Sequence, residues 1–407
     1  MIRSHVLPLG AVAASAVLLL TGCAGGTDDE PAHPVFGVPV EQQPRQALLA
    51  TQAARTATFS QTLTFTSPSG DTVQKTAGRI DFPGGRAAGT IDWAPADDLP
   101  DEAKDALLGV RLGAGRAPAR TRVAVEPDTV RLRAGGAGYW LRYEGSSDAF
   151  GTGAAVDSLR GAESAFGGTL LEILSGATKV KQSPAAKVKE SPAAKGGRTY
   201  LGKLTAFNAL RLFPKDLAAE LTADIDPNGT ATPVSLSMST DAEGRVTRAE
   251  ADFSGLLDRK DSALDEVTGL RAVLKVSGFG KSAPVMPAAS ERTLDAEESV
   301  TAVGEVKQGG CADLTTGTRT LDMVVSVPCA QPHEARVYAH ARFDAAYPGN
   351  RAAKRMAGEA CRDAFGSAPA AWTREGVEKD HFWYTWPGEA RWGVGADPVV
   401  TCYVETR

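Results

Sequence analysis

The chain has 407 residues, of which 43% are hydrophobic and 23% are charged. This composition is typical of globular proteins and excludes wholesale disorder. The formal net charge is only −5, so the sequence gives no reason to expect nucleic acid as a partner. At roughly 100–200 residues per domain, the length predicts two or three domains.

The start of the chain has the pattern of a bacterial lipoprotein signal peptide. A short basic segment precedes an apolar stretch over residues 6–20, and the motif Leu20–Cys23 (LTGC) follows. Small residues before the cysteine let a signal peptidase approach the backbone, and the thiol then accepts a diacylglyceryl group. We expect residues 1–22 to be removed and Cys23 to be lipidated, with acyl chains such as palmitate holding the protein on the extracytoplasmic face of the cell membrane. An ordinary secretory peptide with a chance cysteine is the alternative.

Residues 23–43 are rich in proline and polar residues, which favours extended polyproline II conformations. We expect this segment to be a flexible tether. A helix is predicted over residues 44–55, with proline at its start. Phe59, Leu63 and Phe65 then share one face of a strand whose other face is serine and threonine, which is the period of a half-buried β-strand.

Further strands and helices follow up to residue 280. Strands are expected where apolar residues alternate, and helices where apolar residues cluster between breaks at glycine or proline. In chain order, the sequence predicts a strand through Ile80 and Phe82, a helix over 101–108, strands over 122–125, 130–133 and 139–143, a helix over 158–174 buried through Leu170, Leu171, Ile173 and Leu174, a strand over 200–204, a helical segment over 206–221, a hairpin of 234–239 with 246–253, and a strand over 271–279.

A low-complexity insert interrupts this region. Residues 179–195 read KVKQSPAAKVKESPAAK, with five lysines and one glutamate. Such a run is either a basic loop for anionic polymers or headgroups, or a solvated, duplicated loop.

The last part of the chain has a different character. Residues 281–300 are rich in proline and polar residues and predict a linker, so a separate domain is expected over 301–407. Four cysteines other than Cys23 all lie there, and clustered cysteines of even number in an exported chain predict disulfides. A zinc site would favour Cys-x-x-Cys pairs, which are missing. Of the three connectivities we favour Cys311–Cys329, which flank a turn, and Cys361–Cys402, which would join a helix to the last strand.

Two motifs within residues 44–280 resemble those of the LppX/LprAFG group of actinobacterial lipoproteins, which share the LolA-like fold. They are the hairpin Ser239–Arg248 and the segment Gly138–Arg142 (GYWLR). The resemblance implies a curved antiparallel sheet, or half-barrel, over helices, with acyl chains held between them. The residues that would line such a cavity are Phe59, Leu63, Phe65, Leu132, Leu141, Leu236 and Met238. A dry, filled core is the alternative, because an amphipathic strand pattern fits both.

The final domain is similar to the septum formation family of actinobacterial envelope proteins. The matching residues follow in order along the domain: Gly310-Cys311, 324–329, 331–334, 347–349, Cys361, Pro387, Trp392-Gly393 and 400–402. The family name implies a location in the cell envelope and no particular chemistry.

Motifs of catalysis are missing from the sequence. It contains no Gly-x-Ser-x-Gly nucleophile elbow, no phosphate-binding loop and no His-Glu-x-x-His helix. His333 follows a cysteine and is expected to bond backbone carbonyls rather than a metal. The aromatic segment His381–Tyr384 is expected to be core and partner surface, with a sugar-binding platform as the alternative. We expect neither a cofactor, a metal nor catalytic residues.

The sequence therefore predicts an α+β protein: a curved antiparallel half-barrel over helices, followed by a small disulfide-bonded α+β domain. The function that we expect is that of a membrane-anchored lipoprotein that binds an amphiphilic or lipidic envelope molecule, as a carrier or a sensor. The alternative is a structural or interaction protein at the cell wall or division septum, with an envelope protein or polymer as its partner.

Overall fold

The computed structural model describes residues 33–100, 103–104, 107, 120–144, 169–183, 196–213, 217–218, 221, 233–257, 264–314, 323–343, 346–376, 381–386 and 399–406. The predicted signal peptide and Cys23 lie outside the described residues, as do most of the lysine-rich insert and the first part of the predicted 158–174 helix. Among the helices that are described, none is long and apolar enough to cross a membrane.

Strands outnumber helices in the described ranges. The strands are β1 (Thr56–Ser67), β2 (Gly70–Asp81), β3 (Arg86–Ala94), β4 (Thr121–Glu126), β5 (Thr129–Arg133), β6 (Trp140–Glu144), β7 (Thr178–Ser183), β8 (Thr199–Leu204), β9 (Val234–Thr240), β10 (Val246–Asp252), β11 (Gly269–Ser277), β12 (Thr293–Asp295), β13 (Val300–Ala302), β14 (Cys311–Asp313), β15 (Met323–Val327), β16 (Ala335–Arg342), β17 (Trp383–Thr385) and β18 (Val399–Glu405). The α-helices are α1 (Gln43–Ala53), α2 (Leu170–Ile173), α3 (Ala206–Leu210), α4 (Ala296–Ser299), α5 (Asn350–Ser367) and α6 (Ala370–Thr373).

The larger sheet is open and curved, and twelve of the described strands form it in the order β12-β6-β5-β4-β3-β2-β1-β11-β10-β9-β8-β7. Its pairs are antiparallel except β12 with β6, which is parallel. The hairpin predicted over 234–253 is present as β9 and β10, and the strands expected near 122, 130 and 139 are present as β4 to β6. The sequence pattern therefore located most of the sheet correctly.

Helices cover one half of this sheet. On β1, side chains alternate between buried and partly exposed, which places Phe59, Leu63 and Phe65 on one face. These residues pack with helices and with the strands β9 to β11 in one hydrophobic cluster, here called the helix-covered core. Besides those three it includes Ala47 of α1, Leu170, Leu171, Ile173 and Leu174 at α2, Ala206, Ala209 and Leu210 of α3, Leu236 and Met238 of β9, and Leu270 and Leu274 of β11. The burial predicted for the four residues at α2 is confirmed.

The other half of the sheet is covered by the end of the chain rather than by helices of the first region. Strands β3 to β6 pack against residues 296–327 in a second cluster, here called the seam core. Its buried members are Ile91, Val123, Val125, Val130, Leu132, Tyr139, Leu141 and Tyr143 from the large sheet, with Ala296, Val300, Cys311, Val325 and Val327. The expected arrangement of a sheet over helices therefore holds for only part of the sheet.

The smaller sheet has the order β13-β15-β14-β16-β18-β17 within the described residues. Helix α5 packs on it through Ala353, Ala357 and Cys361, which recur every fourth residue and are fully buried. One disulfide joins Cys311 to Cys329 with a Cα–Cα distance of 5.1 Å, and another joins Cys361 to Cys402 at 5.4 Å. This is the connectivity that the sequence favours, with the second bond linking α5 to β18.

Two segments that the sequence assigned to a tether and a linker are structured in part. Val35 and Phe36, near the end of the expected tether, are buried in the helix-covered core, and the Arg198 guanidinium lies 4.4 Å from the Phe36 ring centroid. Within the expected 281–300 linker, β12 pairs with β6 and α4 contributes to the seam core. The proline-rich, polar composition of both segments predicts irregular structure, because composition does not reveal that a neighbouring sheet has an open edge with which the segment can pair.

Polar contacts reinforce the seam between the two regions. The Tyr139 hydroxyl donates to Asp313 Oδ2 at 2.6 Å, and both residues are buried. Arg142 forms an ion pair with Asp295 at 2.7 Å. The Trp140 indole donates to the Glu291 carboxylate, and this bond is the main reason that the pKa of Glu291 lies below its usual range. The two predicted domains therefore share a core and a polar network.

Candidate functional site

A cavity of about 460 Å³ lies where the helix-covered core meets the seam core. Its floor is formed by β1 to β4, and its other walls come from α1, from α2 with Thr169 before it, and from the segment after α3. Members of both cores contribute to its lining, so the cavity lies at the junction of the two covers. The apolar side chains that line it are Leu48, Phe59, Ile80, Phe82, Ile91, Val123, Val125, Leu171 and Leu212.

Small residues on β3 leave the cavity open. Ala87, Gly89 and Ile91 alternate along one face of the strand, and all three line the cavity. Gly89 pairs directly with Gly78 of β2, and a Cβ at Gly89 would collide with the backbone carbonyl of Ala77. Glycine is therefore required for the close approach of the two strands, and its missing side chain leaves space above the sheet.

Two glutamines place polar groups on this otherwise apolar surface. Gln61 and Gln74 are both almost completely buried and both line the cavity. The Gln61 side-chain oxygen accepts a hydrogen bond from the Leu170 backbone amide at 2.8 Å, which holds the start of α2 against β1. Gln61 thus has a structural role in the wall, while Gln74 provides an amide group on the lining.

The cavity lining extends to the hairpin between β2 and β3. Asp81 and Arg86 are directly opposite in the strand register, and both line the cavity. The Asp81 carboxylate accepts a hydrogen bond from the Gly84 backbone amide at 3.3 Å inside the turn. Phe82 donates its backbone amide to the Arg55 carbonyl at 2.8 Å, which joins the hairpin to the end of α1. Two charged residues of the hairpin therefore border the lining, on the strand face opposite to Ala87 and Gly89.

The seven residues proposed from the sequence as cavity lining fall into two groups. Phe59 lines the cavity. The six others do not line it: four are buried in the helix-covered core and two in the seam core, namely Leu63, Phe65, Leu236 and Met238 in the first and Leu132 and Leu141 in the second. At these six positions the side chains form closely packed core instead.

Sequence reasoning missed most of the actual lining. The sequence predicts a strand through Ile80 and Phe82 and another over 122–125, but nothing in their pattern indicates that these residues face a void. The paired glycines at positions 78 and 89 were the available signal, since glycine within a strand indicates a close backbone approach or a bend.

Three potential metal ligands lie close together beside the smaller sheet. Among the described residues, Cys311, His333 and Glu375 place their ligand atoms within 4.8 Å of one another. The Cys311 sulfur is bonded to Cys329, so it is not a thiolate and cannot serve as a ligand in this state. The His333 Nδ1 atom lies 2.8 Å from the Gln331 carbonyl oxygen, which is the backbone contact expected from the sequence.

The aromatic segment after residue 380 contributes to a local core. Phe382, Tyr384 and Trp386 are partly buried and pack against the buried Tyr338 cluster. Burial raises the pKa of Tyr338, whose hydroxyl donates to the Cys361 carbonyl at 2.9 Å. Trp383 and Trp386 are both half-buried, so neither is an open stacking platform.

Comparisons with known proteins give only distant likenesses. No protein-family model matches the chain. No curated protein matches it either. Among solved structures, Mycobacterium tuberculosis lipoprotein LppX aligns with a TM-score of 0.33 and 12% identity, covering 60% of this chain and 95% of that one.

Two further structures align at lower scores. A DUF1329 family protein from Desulfovibrio piger aligns with a TM-score of 0.21 and 9% identity, over 59% of this chain and 92% of that one. A Vibrio parahaemolyticus domain described as an outer membrane lipoprotein-sorting protein aligns with a TM-score of 0.19 and 11% identity, over 57% and 91%. With TM-scores this low, the alignments carry no argument about function.

Proposed function

We propose that this chain is an extracytoplasmic lipoprotein that binds an amphiphilic envelope molecule, as a carrier or a sensor. The observation that carries the proposal is the cavity of about 460 Å³, with a largely apolar lining that also includes Gln61, Gln74 and Thr76. Ligand pockets in proteins span roughly 300–1,000 Å³ and combine apolar walls with a few polar groups. The cavity has both properties.

The distribution of chemistry inside the cavity fits an amphiphile. Phe59, Ile80 and Val125 offer apolar surface, and each methylene buried there contributes about 0.8 kcal/mol. Gln74 and Thr76 offer polar groups on the lining, and Gln52 is exposed, so a polar head beside it would stay in contact with water. A purely polar ligand would not bury the apolar side chains of the lining, and a purely apolar ligand would not form hydrogen bonds with its polar side chains.

The membrane anchor is proposed from the sequence. The motif Leu20–Cys23 supports lipidation of Cys23, and two or more acyl chains on one protein form a durable anchor. Processing would place the mature protein on the extracytoplasmic face of the membrane. Replacement Cys23→Ala is expected to leave an unprocessed precursor; a variant that still matures and resists a high-salt wash would contradict the proposal.

We propose no catalytic activity for this chain. The described residues that line the cavity include no histidine, cysteine, serine, lysine or tyrosine, and the one carboxylate among them, that of Asp81, accepts a hydrogen bond within a turn. General acid–base or nucleophilic catalysis requires at least one such group aimed at a partner. The lining therefore supports binding of a ligand without its chemical conversion.

The proposal is tested by native mass spectrometry of protein purified from its own membranes. A co-purifying amphiphile supports it, whereas a ligand-free protein that takes up no added lipid favours the structural or interaction role at the wall or septum. Ala87→Trp places an indole in the cavity and should abolish the bound mass. Ala94→Trp is the matched control, because Ala94 is exposed near the other end of the same strand.

A further inference from the structure

The cavity has an exposed end and a buried end, which lie at different points along β2. Ile80, Thr76 and Gln74 line the cavity from one face of this strand, because they are separated by even numbers of residues. Six residues at about 3.3 Å each place Gln74 roughly 20 Å from Ile80. Next to Ile80, the lining includes Gly85 of the hairpin, which is exposed, whereas Gln74 is only 6% exposed. Gln74 therefore marks the inner end of the cavity.

Packed core closes the cavity beyond Gln74. Leu63 of β1 and Trp93 of β3 flank Gln74 in the strand register, and neither belongs to the cavity lining. The Trp93 ring stacks on Phe65 with the ring centroids 6.1 Å apart, and both residues pack in the helix-covered core together with Leu63. A ligand chain that enters from the hairpin therefore ends at Gln74.

The inner end carries three polar side chains, of which two have no polar partner. Gln61 is directly opposite Thr76 in the register of β1 and β2, and Gln74 is two residues from Thr76 on the same face. The Gln61 oxygen already accepts the Leu170 amide. In contrast, neither the Gln74 amide nor the Thr76 hydroxyl forms a hydrogen bond with any described residue. Because a buried amide without a partner is costly, Gln74 is a hydrogen-bonding group available to a ligand.

No charged residue accompanies these polar groups among the described residues of the inner end. The charged lining residues, Asp81 and Arg86, belong to the hairpin and lie on the strand face opposite to Ala87. An ionised group next to Gln74 would lose its hydration without gaining a counter-ion. The inner end thus suits a polar group that is uncharged.

We infer that the cavity binds an amphiphile whose chain carries an uncharged hydrogen-bonding group, a hydroxyl or an ester carbonyl, that pairs with Gln74 at the inner end. The inference rests on the proposed function and specifies its ligand class. A glutamine amide donates through its nitrogen and accepts through its oxygen, so it can pair with either group. A ligand without such a group leaves the amide unpaired and binds less tightly. Gln74 is thus the specificity-determining residue of the cavity.

The test compares a fatty acid, the same acid with a hydroxyl at the far end of its chain, and the acid with a carboxylate at both ends. Each probe is measured over a range of chain lengths by displacement of a fluorescent lipid from the full mature chain at neutral pH. One carboxylate of every probe stays at the exposed end, where it keeps its hydration. At the length that reaches Gln74, the hydroxy acid should bind about fivefold more tightly than the parent acid, since a neutral hydrogen bond contributes about one such factor. The diacid should bind at least about tenfold more weakly than the hydroxy acid.

Variants assign the preference to Gln74. Gln74→Leu removes the amide at similar side-chain size, so it should abolish the preference for the hydroxyl and leave the parent acid bound at least as tightly. Thr76→Val exchanges the neighbouring hydroxyl for a methyl group and should reduce the preference less. Gln182→Leu is the matched control, because Gln182 is exposed on β7 and does not line the cavity. Thermal unfolding shows that each variant is folded before its affinities are compared.

The outcomes separate this inference from the proposed function. If the parent and hydroxy acids bind equally at every length, or if Gln74→Leu leaves the preference unchanged, the inference is overturned while amphiphile binding stands. If the diacid binds best, the inner end accepts a charge and the inference is again overturned. If no probe binds to the wild type, the proposed function fails with it.

Discussion

The two halves of the large sheet are covered in different ways. Over β1 and β9–β11, the cover consists of short helices that belong to the same region of the chain as the strands. Over β4 to β6, it consists of residues from the far end, such as Asp313, which is 174 positions from its partner Tyr139. The cavity lies at β2 and β3, where the two covers meet and neither fills the space. A binding site can thus arise from the junction of two packing arrangements.

The largest expected effect comes from the disulfides of the smaller sheet, of which Cys311–Cys329 belongs to the cover over β4–β6 and Cys361–Cys402 ties α5 to β18. Removing the Cys361–Cys402 bond with paired serines should lower the free energy of unfolding by about 4 kcal/mol, because the bond closes a long loop whose ends are 41 residues apart. Removing Cys311–Cys329, with a separation of 18, should cost about 3 kcal/mol. Urea unfolding of the two double variants measures both losses.

Peptide mapping under non-reducing conditions checks the pairing itself. A peptide that joins Cys311 to Cys402, or free thiols at all four positions in the exported protein, would contradict the connectivity. An unfolding energy that is unchanged in the Cys361→Ser, Cys402→Ser variant would show that the smaller sheet is stable without its helix-to-strand link.

The contrast between packed core and cavity is sharpened by inserting one large side chain in each. Leu63→Trp should cost about 1–3 kcal/mol by overpacking, because Leu63 is buried in the helix-covered core. Ala87→Trp should cost less, within about 1 kcal/mol, because its indole enters an existing space. Thermal unfolding of both variants without lipid measures the difference. Equal losses would mean that the space over β3 is not open in solution.

Matched tyrosine variants compare the polar contacts of the two cores. Tyr139→Phe removes a buried bond to the Asp313 carboxylate, and Tyr200→Phe removes a buried bond to the neutral Gln43 amide. A bond to a charged acceptor contributes about 1.5–3 kcal/mol and a neutral one about 0.5–1.5 kcal/mol, so the Tyr139 variant should be the less stable. Chemical denaturation gives both values. A larger loss of stability in the Tyr200 variant would argue against a strong bond between Tyr139 and Asp313 at the seam.

The smallest effects should appear as opposite responses to pH. Burial raises the pKa of Tyr200 from 10.0 to about 12. Its contribution to stability is therefore complete below pH 10.0 and is lost as the pH rises from there toward about 12. The bond from Trp140 lowers the pKa of Glu291, so its contribution is present above the ordinary glutamate pKa and is lost in acid. Hydrogen exchange should therefore show the helix-covered core loosening first in alkali and the seam first in acid. Glu291→Gln should remove the acid response of the seam.

Much of the architecture could be predicted from the sequence because it depends on local patterns. Alternation of Phe59, Leu63 and Phe65 located β1, and the turn between β9 and β10 located that hairpin. The cysteine spacing was sufficient to favour the observed pairing. Each of these inferences uses neighbours in the chain, where periodicity and turn chemistry act directly.

Only the tertiary structure decided which apolar residues line a void. Leu63 and Phe59 have the same pattern and lie four positions apart on one face of β1, yet Phe59 lines the cavity and Leu63 is packed. The difference depends on what lies above each side chain, and that is set by α1, the segment before α2 and distant residues of the seam. Sequence alone therefore determined the strands, the cysteine pairing and the motif at Cys23. The cavity over β2 and β3 required the two covers to meet, because a cavity depends on packing between distant segments and produces no periodic pattern in any one of them.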